Sequence, residues 1–472
     1  MRRVLVCCFL SSVLSAAAQT LPALGAEVRG FVKTDAPILA LTHVRIIDGT
    51  GVAPNEDQTI VIRNGRFSAI GKLQPPADAQ IIDLAGRTVL PGLVGMHDHL
   101  FFPAGSGWFH EMGFSFPRLY LACGVTTIRT AGSIEPDTDV TLKRLIDSGR
   151  MPGPKMHLTG PYLEDARDFI PQMNVIDTPA EAVVATDYWA RRGFGSMKAY
   201  KNINRAELKS TIDAAHGHHL KVAGHLCAVG FNEAADLGID SLEHGLVVDT
   251  EFYPEKRPDA CPPYPGAERH LASNVEVSSA PVQRLIRHLV EKHTAITSTL
   301  PVFEEMVPNR APLSRRVLDA MSPQAQLVYL RARAGVGASA DSPWPTLLQK
   351  EMEFELAFAR AGGLLIAGLD PTGIAGTVAG FGDQRELELL VEAGFSPVEA
   401  IKIATLNGAT WLDEAEHIGS IAIGKQADLM VVRGNPAEKI ADIENVEFVL
   451  KDGVVYDSAK LIESVRGLVG IR

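Results

Sequence analysis

Cysteine is scarce in this chain, with five residues among 472. Cys7 and Cys8 lie in an N-terminal segment that we expect to be removed, and Cys123, Cys227 and Cys261 show no paired spacing. This pattern favours neither a disulfide framework nor a cysteine-based metal site. The chain also lacks a cluster of basic residues, and its formal net charge is −11. We therefore expect neither nucleic acid nor an anionic membrane surface as a partner.

Apolar runs long enough to span a bilayer are missing as well. The run over residues 4–14 is too short for that purpose. It follows Met1-Arg-Arg and precedes Ala16-Ala-Ala-Gln, which is typical of a secretory signal peptide with a small-residue cleavage site; the alternative is a buried N-terminal helix. Cys7 lacks the small residue that a lipoprotein signal needs before it, so no membrane anchor is expected. These features predict a signal peptide over residues 1–18 and a periplasmic or secreted protein.

Both ends of the remaining chain are rich in predicted β-strands. Residues 38–47 and 59–70 carry β-branched residues with partial alternation, and residues 427–432 and 446–456 repeat the pattern. Asn64-Gly65 and Asp452-Gly453 are signatures of two-residue hairpin turns. We interpret residues 27–90 and 413–472 as one small β-sandwich domain assembled from both termini.

The middle of the chain, residues 91–412, alternates short apolar runs with helical segments, which is typical of a parallel (β/α)8 barrel. Helix starts are marked by Thr178-Pro-Ala-Glu181, Asn204-Arg-Ala-Glu207 and Ser396-Pro-Val-Glu399. The fold class is therefore α/β, a TIM-like barrel with a companion domain. The predicted barrel strands cover residues 89–97, 125–129, 155–159, 196–200, 221–225, 241–244, 295–300 and 364–370.

Polar side chains stand where several of these strands end. In a strand, residues i and i+2 share a face, so His97 and His99 aim at one point. Alone, such a pair is often no more than two polar loop residues. Since a βα barrel builds its site on the carboxyl edge of its strands, six polar residues there indicate a shared metal site. These residues are His97, His99, Lys198, His225, His244 and Asp370.

The motifs around these residues resemble those of the metal-dependent amidohydrolase superfamily, nearest to its imidazolonepropionase-like and Xaa-Pro dipeptidase-like branch. The resemblance covers nearly the whole chain after the signal. It rests on Pro91-Gly-Leu-Val-Gly-Met-His97-Asp-His99, Gly-Val-Thr-Thr-Ile-Arg129, Met-Lys198-Ala-Tyr200, Gly-His225, Leu-Glu-His244-Gly, Ala-Gly-Leu-Asp370 and Gly-Ser-Ile-Ala-Ile-Gly-Lys-Gln-Ala-Asp-Leu429.

The resemblance implies a centre of two divalent metal ions, with Zn²⁺ as the expected ion. His97, His99 and Asp370 would hold one ion, and His225 and His244 the other. Lys198 would bridge the two as a carboxylated lysine, because an ammonium cannot ligate a cation; the alternative is a free amine beside a single ion.

The expected chemistry is hydrolysis by activated water. Metals lower the pKa of bound water and polarise the scissile carbonyl, while Asp370 would take a proton from the water and pass it to the departing nitrogen. Tyr200, two residues beyond Lys198, would steady the developing oxyanion, or else it is a core tyrosine.

Substrate contacts are predicted in the loops over the barrel mouth. The aromatic loop 101–114, with Trp108 and Phe109, indicates either an apolar pocket or packing beneath a lid. Arg129 would pair with a substrate carboxylate or form an internal ion pair. The long connections 246–280 and 302–347 are expected to form lids.

Two departures from the family pattern bear on the substrate. Relatives in this branch often have an acidic residue directly after the arginine, where this chain has Thr130 after Arg129. They also often have a His near Gly380 to Asp383, which is missing in this chain. We therefore predict an exported hydrolase of a small-molecule amide, a dipeptide or N-acyl amino acid with an apolar portion. Hydrolysis of a cyclic amide or lactone, and a silent scaffold of the same fold, are the alternatives; a homo-oligomer is left open.

Overall fold

The structure is a computed structural model that describes residues 23–105, 108–165, 172–263 and 265–471. The predicted signal peptide lies outside these residues. In the part of the chain that is described, no helix is both long enough and apolar enough to cross a membrane.

The chain begins with a short helix, α1 (Ala26–Arg29), and six strands. These strands are β1 (Val32–Thr34), β2 (Ile38–Ile46), β3 (Asn55–Arg63), β4 (Arg66–Gly71), β5 (Gln80–Asp83) and β6 (Arg87–Pro91). The β3–β4 turn has positive φ at both Asn64 (47°) and Gly65 (74°), as a type I′ turn requires, so the hairpin prediction is confirmed here.

The middle of the chain supplies twelve strands within the described residues. They are β7 (Leu93–Asp98), β8 (Phe101–Gly105), β9 (Trp108–Glu111), β10 (Val125–Thr130), β11 (Lys155–His157), β12 (Thr159–Asp165), β13 (Asn174–Ile176), β14 (Ser196–Ala199), β15 (Lys221–Gly224), β16 (Ser241–Glu243), β17 (Ala295–Ser298) and β18 (Leu365–Ala367).

Helices alternate with most of these strands. They are α2 (Ser115–Ala122), α3 (Pro136–Asp147), α4 (Pro179–Arg191), α5 (Arg205–Gly217), α6 (Phe231–Leu237), α7 (Gly266–Asn274), α8 (Ala280–Glu291), α9 (Leu300–Glu304), α10 (Arg315–Ala320), α11 (Pro323–Gly337), α12 (Trp344–Arg360), α13 (Phe381–Glu392), α14 (Pro397–Lys402) and α15 (Gly408–Trp411). A 3₁₀ turn, Gly245–Val248, follows β16, and a π-helical turn, Ile403–Asn407, joins α14 to α15.

The predicted helix starts are confirmed. The side chains of Thr178 and Ser396 accept from the backbone N–H groups of Glu181 and Glu399, and Asn204 forms a capping box with Glu207.

Parallel pairing runs from β7 through β10 to β11, and from β12 through β14, β15, β16 and β17 to β18. A single residue, Leu158, separates β11 from β12. In the described residues no ladder joins β18 to β7, although the Asp370 N–H donates to the His97 carbonyl at 2.9 Å. The structure is thus an α/β fold with parallel strands, and strand pairing does not confirm that the predicted barrel closes.

The predicted first barrel strand, residues 89–97, is divided in two. Its first part belongs to β6, its second part forms β7, and Gly92 lies between them. A Cβ at Gly92 would lie 2.1 Å from Oγ1 of Thr126, so the chain passes β10 at a distance that only glycine allows.

The end of the chain contributes β19 (Leu429–Arg433), β20 (Val446–Lys451), β21 (Val454–Asp457) and α16 (Ser458–Glu463), with a 3₁₀ turn at Ile440–Glu444. These strands join the first six in one mixed sheet, ordered β1-β21-β20-β19-β6-β2-β3-β4, with β5 paired to β2. The two termini do combine, but the predicted two-sheet sandwich is not confirmed. The β20–β21 turn has positive φ at Asp452 (54°) and Gly453 (80°), again as predicted.

The prediction that no disulfide forms is wrong. Cys227 and Cys261 are bonded, with Cα atoms 5.0 Å apart, although they are 34 positions apart in the sequence. In the intervening segment, which folds back, the Lys256 ammonium and the Thr250 hydroxyl both donate to the Cys227 carbonyl, each at 2.6 Å. Sequence spacing cannot reveal such a return; Cys123 is buried and free.

Candidate metal centre

Six predicted metal ligands come together at the carboxyl ends of the parallel strands. His97 lies in β7, Lys198 in β14, and His225 and His244 directly follow β15 and β16. A cavity of about 100 Å³ is lined by all of these and by Asp370 beyond β18, while His99 lies beside it. The site thus collects its side chains from five separate strands of the fold.

The imidazoles surround the carboxylate of Asp370 without bonding to it. Nε2 of His97 and Nε2 of His99 each lie 3.7 Å from an Asp370 oxygen, and Nε2 of His244 lies 3.8 Å away. The ring centroid of His225 lies 4.5 Å from that of His244. These separations exceed a hydrogen bond, so nitrogen and oxygen donors face one another around a small gap.

The other ring nitrogens of three of these histidines are engaged behind the site. Nδ1 of His99 lies 3.1 Å from the Gly132 carbonyl, which can only accept, so Nδ1 carries the proton and Nε2 presents its lone pair. Nδ1 of His97 contacts Glu243 at 2.5 Å, and Nδ1 of His244 contacts the Thr299 hydroxyl at 2.7 Å. Such contacts orient the imidazoles of metal sites.

The electrostatics keep these imidazoles neutral. Burial holds the pKa values of His97, His99, His225 and His244 well below the usual value. Burial alone would raise the pKa of Glu243, but Lys198, Arg129 and His97 outweigh it and hold that pKa well below its usual range. Neutral imidazole is the form that ligates metal, so the donor set fits a divalent cation.

Lys198 is buried at the cavity wall, with 1% of its surface exposed. Burial lowers its pKa to about 8, against the opposing effect of Glu243. Its Nζ lies 3.6 Å from the nearer Glu243 oxygen and has no hydrogen-bond partner in the described part of the chain. A buried lysine nitrogen without a bond is available for modification or ligation.

Two site residues adopt a backbone conformation that side chains other than glycine rarely take. His244 has a φ of 68° and Asp370 a φ of 50°. Each follows a short strand, and the left-handed turn redirects the chain at the point where its side chain enters the cavity. Strain of this kind concentrates at functional sites.

Arg129 is not where a substrate contact requires it. It is fully buried, donates to Glu243 Oε1 at 2.8 Å and to the Met96 carbonyl at 2.7 Å, and lies over the Trp411 ring. It does not line the cavity. Of the two predicted alternatives the structure therefore has the internal ion pair, and the substrate-carboxylate contact is not supported.

The aromatic loop is a hairpin of β8 and β9 whose two predicted substrate residues differ in position. Phe109 lines the cavity, with its ring 5.3 Å from that of Phe101. Trp108 is 52% exposed and lies outside the cavity lining. Of the two predicted substrate residues, Phe109 is therefore the one that can contact a molecule held in the cavity.

Tyr200 lines the cavity, and its ring lies 5.0 Å from that of His225. A second tyrosine, Tyr162 in β12, lines it too, with its hydroxyl 3.3 Å from Nε2 of His99. The sequence prediction missed Tyr162 because it ended that strand at residue 159. In the segment Gly380 to Asp383, Asp383 lies in the first turn of α13 and accepts from the Gly380 N–H.

Glu243 was also missed by sequence reasoning. A carboxylate inside an apolar strand, directly before His244, is the signal that could have revealed it, because such a residue must be paired when buried. The Gly132 carbonyl leaves no signal of this kind in the sequence.

Comparison with known proteins places this site in context. Residues 88–457 match the amidohydrolase family. The enamidase of Eubacterium barkeri is 28% identical over 196 residues, which are 38% of this chain and 47% of the enamidase. A dihydroorotase of Geotalea daltonii (strain DSM 22248 / JCM 15807 / FRC-32) is 46% identical over 59 residues, or 12% of this chain and 13% of that enzyme. The chain thus matches less than half the length of either relative.

The overall fold is shared with solved structures. A crystal structure of a Xaa-Pro dipeptidase with methionine bound in its active site superposes with a TM-score of 0.65 at 22% identity, and the match covers 89% of this chain and 100% of the dipeptidase. At this identity the likeness establishes the fold.

Proposed function

The chain belongs to the amidohydrolase family, a metal-dependent family of hydrolases acting on C–N bonds, and from this we propose that it is an exported binuclear metallohydrolase that cleaves an amide C–N bond. One observation carries the proposal. The Nε2 atoms of His97 and His244, the Asp370 carboxylate and the unbonded Nζ of Lys198 line a single buried cavity, and Nε2 of His99 lies 3.7 Å from the same carboxylate. Buried polar atoms concentrate in this way when they share a bound cation.

Two metal ions fit the donor set. The ligand atoms of His97, His99 and Asp370 lie within 4.8 Å of one another and would hold the first ion. His225 and His244 would hold the second, and Lys198 would join the two as a carbamate, formed when its neutral amine adds to CO₂ and releases a proton. Bound divalent ions, with Zn²⁺ expected, would lower the pKa of water and polarise the scissile carbonyl.

Asp370 is the proton carrier of the proposed reaction. The Thr372 hydroxyl donates to its Oδ1 at 2.8 Å, which fixes the carboxylate and leaves Oδ2 for proton transfer. This oxygen would accept a proton from the attacking water and deliver it to the departing nitrogen, so one residue acts first as base and then as acid. The Tyr200 hydroxyl, at the cavity wall, would donate to the developing oxyanion.

The cavity lining supports a substrate with an apolar portion. Phe101, Phe109, Ile134 and Met173 line the cavity together with the two tyrosines. We propose a dipeptide or an N-acyl amino acid whose apolar side chain or acyl group packs against this wall.

A cyclic amide or lactone is the second candidate, and the position of Arg129 favours it. That guanidinium is committed to Glu243, and Lys198 is the only cationic side chain among the described residues that line the cavity. A free substrate carboxylate would therefore lack a partner there, whereas a neutral ring would need none.

The disulfide supports export. Disulfides form and persist in oxidising compartments, and the Cys227–Cys261 bond joins two segments beside the metal centre. Together with the expected signal peptide, it is the basis for proposing a periplasmic or secreted enzyme.

The test is metal analysis of the purified protein, combined with a hydrolysis screen of dipeptides, N-acyl amino acids, lactams and lactones. We expect two metal ions per chain and turnover within one of these classes. One ion per chain would contradict the carbamate bridge. A protein without metal and without turnover would instead be a silent scaffold of the same fold.

A further inference from the structure

A second cavity, of about 440 Å³, lies at the opposite end of the parallel strands from the metal centre. One wall is formed by the beginning of β11 and the residues before β14, and the facing wall by β20 and β21 of the terminal sheet. Its volume falls within the range of small-molecule pockets, and none of its lining residues belongs to the metal centre.

Lys451 is the unusual residue of this cavity. It is the last residue of β20, is 8% exposed, and lines the cavity beside Val454 and Tyr456 of β21. Its ammonium makes no hydrogen bond and no ion pair shorter than 4.0 Å to any described residue. Burial lowers its pKa, and Asp452 acts in the opposite direction. The side chain is thus largely buried, whereas its unpaired ammonium opens onto the cavity, where an anion can reach it.

The neighbouring lysine shows what a purely structural cation looks like here. Lys155 donates to Asp452 at 2.9 Å and also to Asp428 and Gln426, so its charge is fully compensated. Those carboxylates are thereby engaged by Lys155 rather than by Lys451. Lys451 is therefore the lysine whose ammonium faces the cavity without a carboxylate partner among the described residues.

A second polar group faces the same space. The imidazole of His157 lines the cavity, makes no hydrogen bond to a described residue, and has its pKa lowered to about 4 by burial and by Lys143 and Lys155. It is therefore neutral and able to donate through one ring nitrogen. Both His157 and Lys451 line this one cavity.

We propose that this cavity is a second, non-catalytic binding site for a small monoanionic carboxylate with an apolar part. The ligand's carboxylate would pair with Lys451 Nζ and accept from His157. Three acids, Asp147, Asp452 and Glu414, and three further cations, Arg66, Lys143 and Lys155, also line the cavity. Their charges offset one another, so that Lys451 leaves one positive charge, which favours a monoanion over a dianion such as phosphate. Leu24, Ile146 and Met151 offer an apolar surface for the remainder of the ligand. The site is independent of the proposed hydrolytic function.

The test uses hexanoate as the probe, titrated calorimetrically into the metal-loaded full chain. Lys451→Met keeps the length of the side chain and removes its charge, and Lys460→Met, on the exposed face of α16, is the matched control. We expect wild type and the control to bind hexanoate alike and Lys451→Met to bind at least about tenfold more weakly, a difference of about 1.4 kcal/mol. Inorganic phosphate should bind more weakly than hexanoate.

Two further measurements distinguish an anion-binding role of Lys451 from a structural role, and this cavity from the metal centre. Without ligand, Lys451→Met should have a higher Tm than wild type, because burial of this side chain disfavours its charged form; a structural role would lower the Tm. Asp370→Asn should retain hexanoate binding, since the metal centre is not involved.

The proposal is overturned if the wild-type protein does not bind hexanoate at concentrations up to about 10 mM, which corresponds to a binding free energy of less than about 3 kcal/mol in magnitude. Unchanged binding in Lys451→Met, tighter binding of phosphate, or binding that is lost in Asp370→Asn would also overturn it. Lys451→Gln gives the same comparison if the methionine variant does not fold.

Discussion

Glu243 Oε2 lies 2.5 Å from Nδ1 of His97, and this contact determines which nitrogen of that imidazole faces Asp370. The carboxylate is held ionised by Arg129 at 2.8 Å and by Lys198 at 3.6 Å. Since an ionised carboxylate only accepts hydrogen bonds, Nδ1 donates and Nε2 is left free toward the cavity. Glu243 is thus a positioning residue that acts through His97.

Replacing this carboxylate tests that role. Glu243→Gln should weaken metal binding by about 10- to 100-fold, because an amide can also donate and no longer fixes the imidazole tautomer. The measurement is a metal titration of the chelator-treated protein. Glu447→Gln, at an ion pair with Arg87 in the terminal sheet, is the control and should leave metal affinity unchanged. Equal affinity in both variants would remove Glu243 from the metal site.

Asp370→Asn should retain much of the metal and lose about 10²- to 10⁴-fold in kcat, since an amide cannot carry the proton between water and the leaving nitrogen. Metal content and turnover are measured on the same preparation. Turnover close to that of wild type would show that another group carries the proton.

The two cavity tyrosines should respond differently to loss of their hydroxyls. Tyr200→Phe should lower kcat by about 10²-fold with little change in KM, as expected for a donor used only in the transition state. Tyr162→Phe, whose hydroxyl lies 3.3 Å from His99 Nε2, is the matched control and should affect kcat less. The reverse order would assign the oxyanion contact to Tyr162.

Removing the disulfide should destabilise the protein. In the chain-entropy model a crosslink spanning 34 residues, as between Cys227 and Cys261, contributes about 3–4 kcal/mol to the free energy of unfolding. The Cys227→Ser/Cys261→Ser variant should therefore unfold at lower urea concentration than wild type. Reductant should reproduce the loss in wild type and leave the double variant unchanged; a further loss there would point to another cause.

Stability should decrease in mild acid, partly because of His157. Its pKa is about 4 in the folded chain, against 6.5 for an ordinary histidine, so the unfolded chain takes up the proton first as the pH falls. The contribution of His157 is complete above pH 6.5 and is lost as the pH falls toward 4, by at most about 3 kcal/mol. Urea unfolding across this range should give a flatter profile for His157→Gln, whereas the exposed His417→Gln should behave like wild type.

Much of the architecture follows from local rules and was predictable. The turns Asn64-Gly65 and Asp452-Gly453 need positive φ, and short polar caps followed by Pro and Glu begin helices, so these features were located correctly. Strand boundaries were less accurate, as at Gly92, because the break reflects the close approach of Thr126 from another strand.

The candidate site also contains some residues that local rules predicted and some contacts that only the fold reveals. His97 and His99 were predicted to share a face by alternation, and the strand ends indicated the other four candidate ligands. For Arg129 the sequence left a substrate contact and an internal ion pair open, and only the fold shows that Glu243, 114 positions away, pairs with it.

The sequence alone determined the period of the strands, the turns, the helix caps and the set of polar residues at strand ends, because each depends on neighbours a few positions away. The tertiary structure alone decided that the strands of the two termini join in one mixed sheet, that Cys227 meets Cys261, and that Glu243 orients His97 while Lys451 remains unpaired. Those outcomes depend on groups that are distant in sequence and become buried together. A buried charge is costly unless an opposite charge lies close to it, and the distance between the two sets the interaction energy.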